Sequence, residues 1–196
     1  DMNWMKKVAV ALVCLLPLGL QAAKVDTLQV KSPSMNKSIE VVVVSPDVAA
    51  TKACPVIYLL HGYGGNARTW VGIKPDLSKI ADEKGIFFVC PDGKNTWYWD
   101  SPLNADVRYE TFISDELVKY VDSHYKTVAD RKGRAITGLS MGGHGAMWNG
   151  LRHSDVFSAA GSTSGGVDIR PFPKNWEMSV QIGEKAKYPE NWEKYT

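Results

Sequence analysis

The stretch RAITGLSMGGHGAMW, residues 134–148, decides how this chain is read. Arg134 to Leu139 has the make-up of a short buried strand, and Gly142 to Arg152 that of a helix with glycines at its start. Between them, Gly138-Leu139-Ser140-Met141-Gly142 places a serine at the centre of a tight strand-to-helix turn. Such a turn forces its central residue into an unfavourable backbone conformation. It also brings the residues two before and two after it close together. Glycine fits there, and Gly138 and Gly142 supply it. The turn would aim the Ser140 hydroxyl over the C-terminal edge of a sheet. It would point the Met141 N–H and the helix N-terminus at any oxyanion formed beside it. Ser140 is therefore a candidate nucleophile. The alternative is a structural turn of small residues.

The surrounding pattern supports the strand reading. SIEVVVVSP (38–46), PVIYLLHG (55–62), GIFFVCPDG (85–93) and GRAITGLS (133–140) are short apolar runs, with VFSAAGSTSGG (156–166) a weaker one. Runs without alternation fit strands buried on both faces. Helical patterns lie between them. Lys74 to Lys84 has Pro75 near its start and Gly85 past its end. Tyr109 to His124 places Phe112, Ile113, Leu117, Tyr120 and Val121 at helical spacing. Strand–helix alternation of this kind makes an α/β fold, a mostly parallel central sheet with helices on both faces. After Gly166 the pattern stops, and an irregular excursion with one short helix is expected.

A second motif agrees with the first. YLLHGYGGN (58–66) is an apolar strand running into a glycine-rich loop. The Tyr63 N–H is the candidate second oxyanion donor, with Met141 the first, and His61 is expected to shape the loop and to be one of the substrate-binding residues. NTWYWDSP (95–102) comes after the strand ending at Cys90, at the sheet edge that faces the site. Trp97 and Trp99 offer flat faces to sugar rings or aromatic acyl groups, and Asp100 could bond hydroxyls. The alternative is that these aromatics pack beneath the excursion, which has Trp176 and Trp192 of its own.

Together YLLHGYGGN, PDGKNTWYWDSP (91–102) and GLSMGGHGA (138–146) resemble one esterase branch of the α/β-hydrolases. That branch groups esterase D (S-formylglutathione hydrolase), bacterial feruloyl and acetyl esterases and the mycobacterial mycolyltransferases. The resemblance runs from about residue 38 to residue 196. It implies an exported serine carboxylesterase with Ser140 as nucleophile, Tyr63 and Met141 at the oxyanion, and a pocket lined by the loop around Trp97. Acetyl or feruloyl esters of carbohydrate are the implied substrates. Acyl transfer on the same residues, or non-catalytic carbohydrate binding on the scaffold, are the alternatives.

A serine nucleophile needs a histidine base held by a carboxylate, and in this fold both come after the nucleophile in the chain. Only His144 and His153 of the four histidines do. His144 lies one turn down the same helix, and His153 at its far end, so neither is placed to serve. Asp168 and Asp155 are weak candidates for the acid. The expectation is a domain over residues 24–196 that lacks its last strand–helix units, roughly 60–90 residues by the size of such units.

The remaining features bound the partners. The net charge is +2 and the charges are dispersed, which gives no reason to expect nucleic acid. No spacing of His and Cys suggests a metal, and no cofactor is called for. Lys6-Lys7, the apolar run Val8–Leu20 and Gln21-Ala22-Ala23 have the layout of a secretory signal peptide over residues 1–23, too short for a comfortable membrane span. Export would permit a disulfide between Cys54 and Cys90. Their places at opposite ends of neighbouring parallel strands, roughly 15–20 Å apart at strand rise, argue for two free buried thiols.

Overall fold

A computed structural model describes residues 23–196, so nearly all of the expected signal segment lies outside the described residues. Among these, six strands form one sheet in the order β1-β2-β4-β3-β5-β6. They are β1 (Lys24–Ser32), β2 (Lys37–Ser45), β3 (Val56–Leu60), β4 (Phe87–Pro91), β5 (Arg134–Gly138) and β6 (Ala159–Ala160). β3 pairs in parallel with β4 and β5, and β5 in parallel with β6. β2 pairs antiparallel with β1 and with β4. A four-residue link between β1 and β2 can only turn the chain back, whereas each parallel pairing needs a longer crossover.

The apolar runs alternate between two cores. Val41 and Val43 of β2, Tyr58 and Leu60 of β3 and Phe87 and Val89 of β4 face the larger one. Val42, Val44, Leu59, Phe88 and Cys90 face the smaller. Two short helices, α1 (Thr69–Ile73) and α2 (Leu77–Lys84), cover the smaller core, where Leu77 and Ala81 are buried. Gly85 closes α2 in the left-handed conformation at φ 65°, as a glycine past a helix end should. The larger core is covered by α3 (Tyr109–Thr111), a π-helical turn (Phe112–Glu116), α4 (Leu117–His124) and α5 (Met141–Arg152). This is the expected α/β architecture with helices on both faces.

Three expectations change. β1 has no counterpart among the apolar runs, because Lys24–Ser32 is a largely exposed strand in which Val30 and Ser32 alone are buried. The last run, 156–166, yields only the two exposed residues of β6 and one bridge from Leu139 to Thr163. The excursion after Gly166 holds two helices, α6 (Met178–Ile182) and α7 (Pro189–Lys194). It sends Ile169, Met178, Ile182, Trp192 and Tyr195 into the larger core. Cys54 and Cys90 are free and buried, as their strand positions imply.

Ile136 sits in β5, beneath the serine turn, fully buried. Replacing it with alanine should cost about 2–5 kcal/mol of unfolding free energy in urea titration. Lys79→Ala, on the exposed face of α2, should change it by less than about 0.5 kcal/mol.

Candidate active site

β5 ends at Gly138 and α5 begins at Met141, so Ser140 occupies the turn. Its backbone lies at φ 55°, ψ −116°, a conformation that costs a non-glycine residue about 1–3 kcal/mol. Its N–H donates to the Thr163 carbonyl at 2.9 Å and its carbonyl accepts from the His144 N–H at 3.0 Å. The flanking glycines are required by contact. A Cβ on Gly138 would lie 2.2 Å from the Gly142 carbonyl oxygen, and one on Gly142 would lie 2.2 Å from the Leu60 carbonyl oxygen. The Ser140 residue is exposed.

The loop after β3 packs against this turn. A Cβ on Gly62 would stand 3.4 Å from the Ser140 Cβ. Among the described residues, the backbone N–H groups of Tyr63 and Met141 have no hydrogen-bond partner. The loop is fixed from both sides. Asn95 accepts from the Gly64 N–H at 2.9 Å, and donates through its amide to Glu177 at 3.0 Å. His61 is buried beneath it. Its Nδ1 lies 2.7 Å from the Gly62 carbonyl, and its Nε2 accepts from the Gly93 N–H at 2.9 Å. That pairing assigns a neutral ring with the proton on Nδ1, so Asp92, 3.4 Å from Nε2, is a neighbour and not an ion partner. His61 thus shapes the loop and, being buried beneath it, does not line the cavity at Ser140 as a substrate-binding residue would.

Ser140 and Tyr63 open onto a cavity of about 240 Å³, walled by Trp97, Ile169, Phe172 and Trp176. Trp97 is nearly buried and donates through its indole to the Trp176 carbonyl at 3.0 Å. Trp99 does not line the cavity. It is fully buried, donates to His144 Nε2 at 2.9 Å and packs on Tyr195. Asp100 is also turned away, accepting from the Thr111 N–H and hydroxyl at 3.0 and 2.6 Å. Composition could not separate a sugar platform from a packed aromatic layer. The excursion supplies the other half of that layer. Phe172 and Trp176, which line the cavity, carry no motif that would mark them.

Among the described residues no histidine stands at Ser140. His144 spends both ring nitrogens inward, on Trp99 and on the Gly166 carbonyl at 2.6 Å. Burial pushes its pKa down to about 4, against the Gly166 bond and helped by Arg152. His153 pairs with Glu110 at 2.9 Å. His124 is exposed and bonded to the Tyr120 carbonyl. Asp168 lies at the cavity but is held by Arg170 at 2.8 Å. Among the described residues no group of His, Cys, Asp and Glu is placed to hold a metal.

A strained serine between a parallel strand and a helix, faced by the loop of the neighbouring strand, defines an α/β-hydrolase. The chain belongs to the family described as "Putative esterase", whose pattern it matches over residues 32–195. An esterase of Mycobacterium tuberculosis (Rv1288) is 31% identical over 149 residues, covering 72% of this chain and 32% of that protein. An endo-1,4-beta-xylanase/feruloyl esterase of Xylanibacter ruminicola is 34% identical over 123 residues, covering 58% of this chain and 17% of that protein. A solved ferulic acid esterase superposes with a TM-score of 0.71 at 30% identity, covering 89% of this chain and 71% of that one. Other relatives are an acetyl esterase and a mycolyltransferase. The chain spans about a third of the length of the first of these relatives.

Gly142→Ala should lower unfolding free energy by more than about 2 kcal/mol in urea titration, since the added carbon meets backbone that cannot yield. His144 gives a pH signature. Its folded pKa lies below the ordinary 6.5, so between pH 6.5 and 4 the unfolded chain binds more protons and stability falls as pH falls. Urea titrations at pH 7 and pH 4.5 should differ by about 2–3 kcal/mol from this residue. His144→Gln should flatten that part of the profile.

Proposed function

We propose that the protein is a serine carboxylesterase acting on acyl esters of carbohydrate, acetyl or feruloyl, through an acyl-enzyme on Ser140. The observation that carries this reading is the strained Ser140, which is followed in the chain by Met141 and shares a cavity with Tyr63, two residues whose N–H groups have no partner among the described residues. The Ser140 hydroxyl attacks the ester carbonyl carbon while a base takes its proton. The oxygen that gains charge is held by the two N–H groups, each such donor contributing about 3–4 kcal/mol to the transition state. The intermediate collapses, the C–O bond to the alcohol breaks, and the proton passes to the leaving alcohol. Water then repeats the sequence and frees the acid. The aromatic walls at Trp97, Phe172 and Trp176 favour an acyl group with a flat apolar face.

The histidine and acid that complete this chemistry are assigned to residues outside this chain, because its four histidines are engaged elsewhere. Transfer of the acyl group to an alcohol in place of water would use the same residues. The signal-like residues 1–23 support export. Among the described residues no helix is long and apolar enough to cross a membrane.

The test supplies the missing base from solution. With 4-nitrophenyl acetate and added imidazole, peptide mass spectrometry should find acetyl on Ser140, and Ser140→Ala should carry none at that position. Without imidazole the nitrophenol release should match that of Ser140→Ala. Acetylation spread over lysines with none on Ser140 would sink the reading.

A further inference from the structure

A second cavity, of about 440 Å³, lies beyond the glycine loop from Ser140. Lys37 and Glu40 reach it from the start of β2, Asn66 and Arg68 from the loop after β3, and Lys94 from the loop after β4, with Tyr109 also in its wall. β2 is antiparallel to β4, with Val41 opposite Pro91, so its first residues stand at the C-terminal end of β4. The cavity therefore sits at the same sheet edge as Ser140. In the order β2-β4-β3-β5 it is two to three strand steps from the serine, roughly 10–15 Å at the usual strand spacing. One loop divides the two. Its Gly62 touches the Ser140 turn and its Asn66 faces the second cavity.

The chemistry of this cavity is unlike that of the first. The Lys37 ammonium stands 5.2 Å from the centre of the Tyr109 ring, and among the described residues it has no carboxylate partner. The Glu40 carboxylate likewise has no hydrogen bond or ion pair there. Arg68 uses one guanidinium nitrogen, on the Thr27 hydroxyl at 3.0 Å. The Tyr109 hydroxyl is buried without a partner. Lys94 pairs with Asp92 at 2.7 Å, and the Asn66 side-chain oxygen accepts from the Arg68 N–H at 2.8 Å. A simple anion would meet Glu40 and Asp92, a simple cation would meet Lys37 and Arg68, and an apolar group would strip water from all of them. Hydroxyl groups, which both donate and accept, match this mixed set.

We propose that this cavity binds the alcohol side of the substrate, a stretch of glycan chain a few sugars from the acylated one, while the acyl group fills the cavity at Ser140. The assignment rests on the carbohydrate-ester reading and deepens it. A small aliphatic ester leaves the second cavity empty, so the site selects for esters carried on a chain of sugars.

The test is binding, which needs no catalytic base. Xylotetraose titrated into the chain should give saturable heat in calorimetry. Lys37→Ala/Glu40→Ala should weaken the binding at least tenfold, with the melting temperature and the imidazole-dependent acetylation of Ser140 unchanged. Ser140→Ala should bind xylotetraose as the unaltered chain does. Failure of the acyl chemistry and failure of the glycan site are thus read separately. No binding by the unaltered chain, or equal binding by the double variant, overturns the proposal.

Discussion

The close approach of Gly142 to the Leu60 carbonyl is the contact around which the site is arranged. β3 and β5 are neighbours, with Leu60 paired to Gly138. When β5 ends, the chain must turn at once into α5, because the first turn of that helix lies against the top of β3. There is no room for a Cβ on either side of the turn, and no room for Ser140 to relax from φ 55°. The strain of about 1–3 kcal/mol is offset by the packing of the two elements that flank the turn. Met141 and Ala146 of α5 are fully buried in the larger core, and β5 is held on both edges. The same contact brings the loop after β3 against the serine turn, where a Cβ on Gly62 would stand 3.4 Å from the Ser140 Cβ.

Once that turn is set, polar side chains hold the excursion over it. His144 is the hub. A neutral imidazole offers one donor and one acceptor at opposite ends of a rigid ring. Here the donor takes the Gly166 carbonyl and the acceptor takes the Trp99 indole. The ring also meets Trp97 edge-on at 5.3 Å and stacks near Trp148 at 6.0 Å. A histidine so placed ties α5, the aromatic loop and the excursion together. Asn95 makes the matching tie on the other side, from the glycine loop to Glu177.

The parts legible in the sequence were those set by short-range sterics. Gly138, Ser140 and Gly142 could be read because the turn that needs them spans five residues. The buried strands could be read because two covered faces leave a continuous apolar run. β1 could not, since an exposed strand such as Lys24–Ser32 has few covered positions and so no continuous apolar run. The antiparallel placement of β2 was hidden because Val41–Val44 are buried on both faces whichever way the strand runs. Trp99 and Asp100 were misplaced for a different reason. An aromatic loop has one composition whether it faces a ligand or another aromatic layer, and the layer that decided it, with Trp192 and Tyr195, comes from residues more than 90 positions away.

Backbone strain in this chain gathers at the same place. Among the described residues eight non-glycine positions have positive φ, and all but Asn36 belong to the three segments that meet around Ser140: Lys94, Trp97 and Tyr98, the serine itself, and Ser164, Trp176 and Glu177. Each such residue persists only where its surroundings over-determine it. The surroundings are specific. Tyr98 donates to the His61 carbonyl at 2.8 Å, Trp97 to the Trp176 carbonyl, and Glu177 accepts from Asn95. Gly93 and Gly145 press on the Tyr98 ring so closely that neither could carry a side chain. Loops fixed in this way make their polar bonds to one another within the fold. They hold the cavity walls in place beforehand, so the cost of ordering them falls on folding and not on binding.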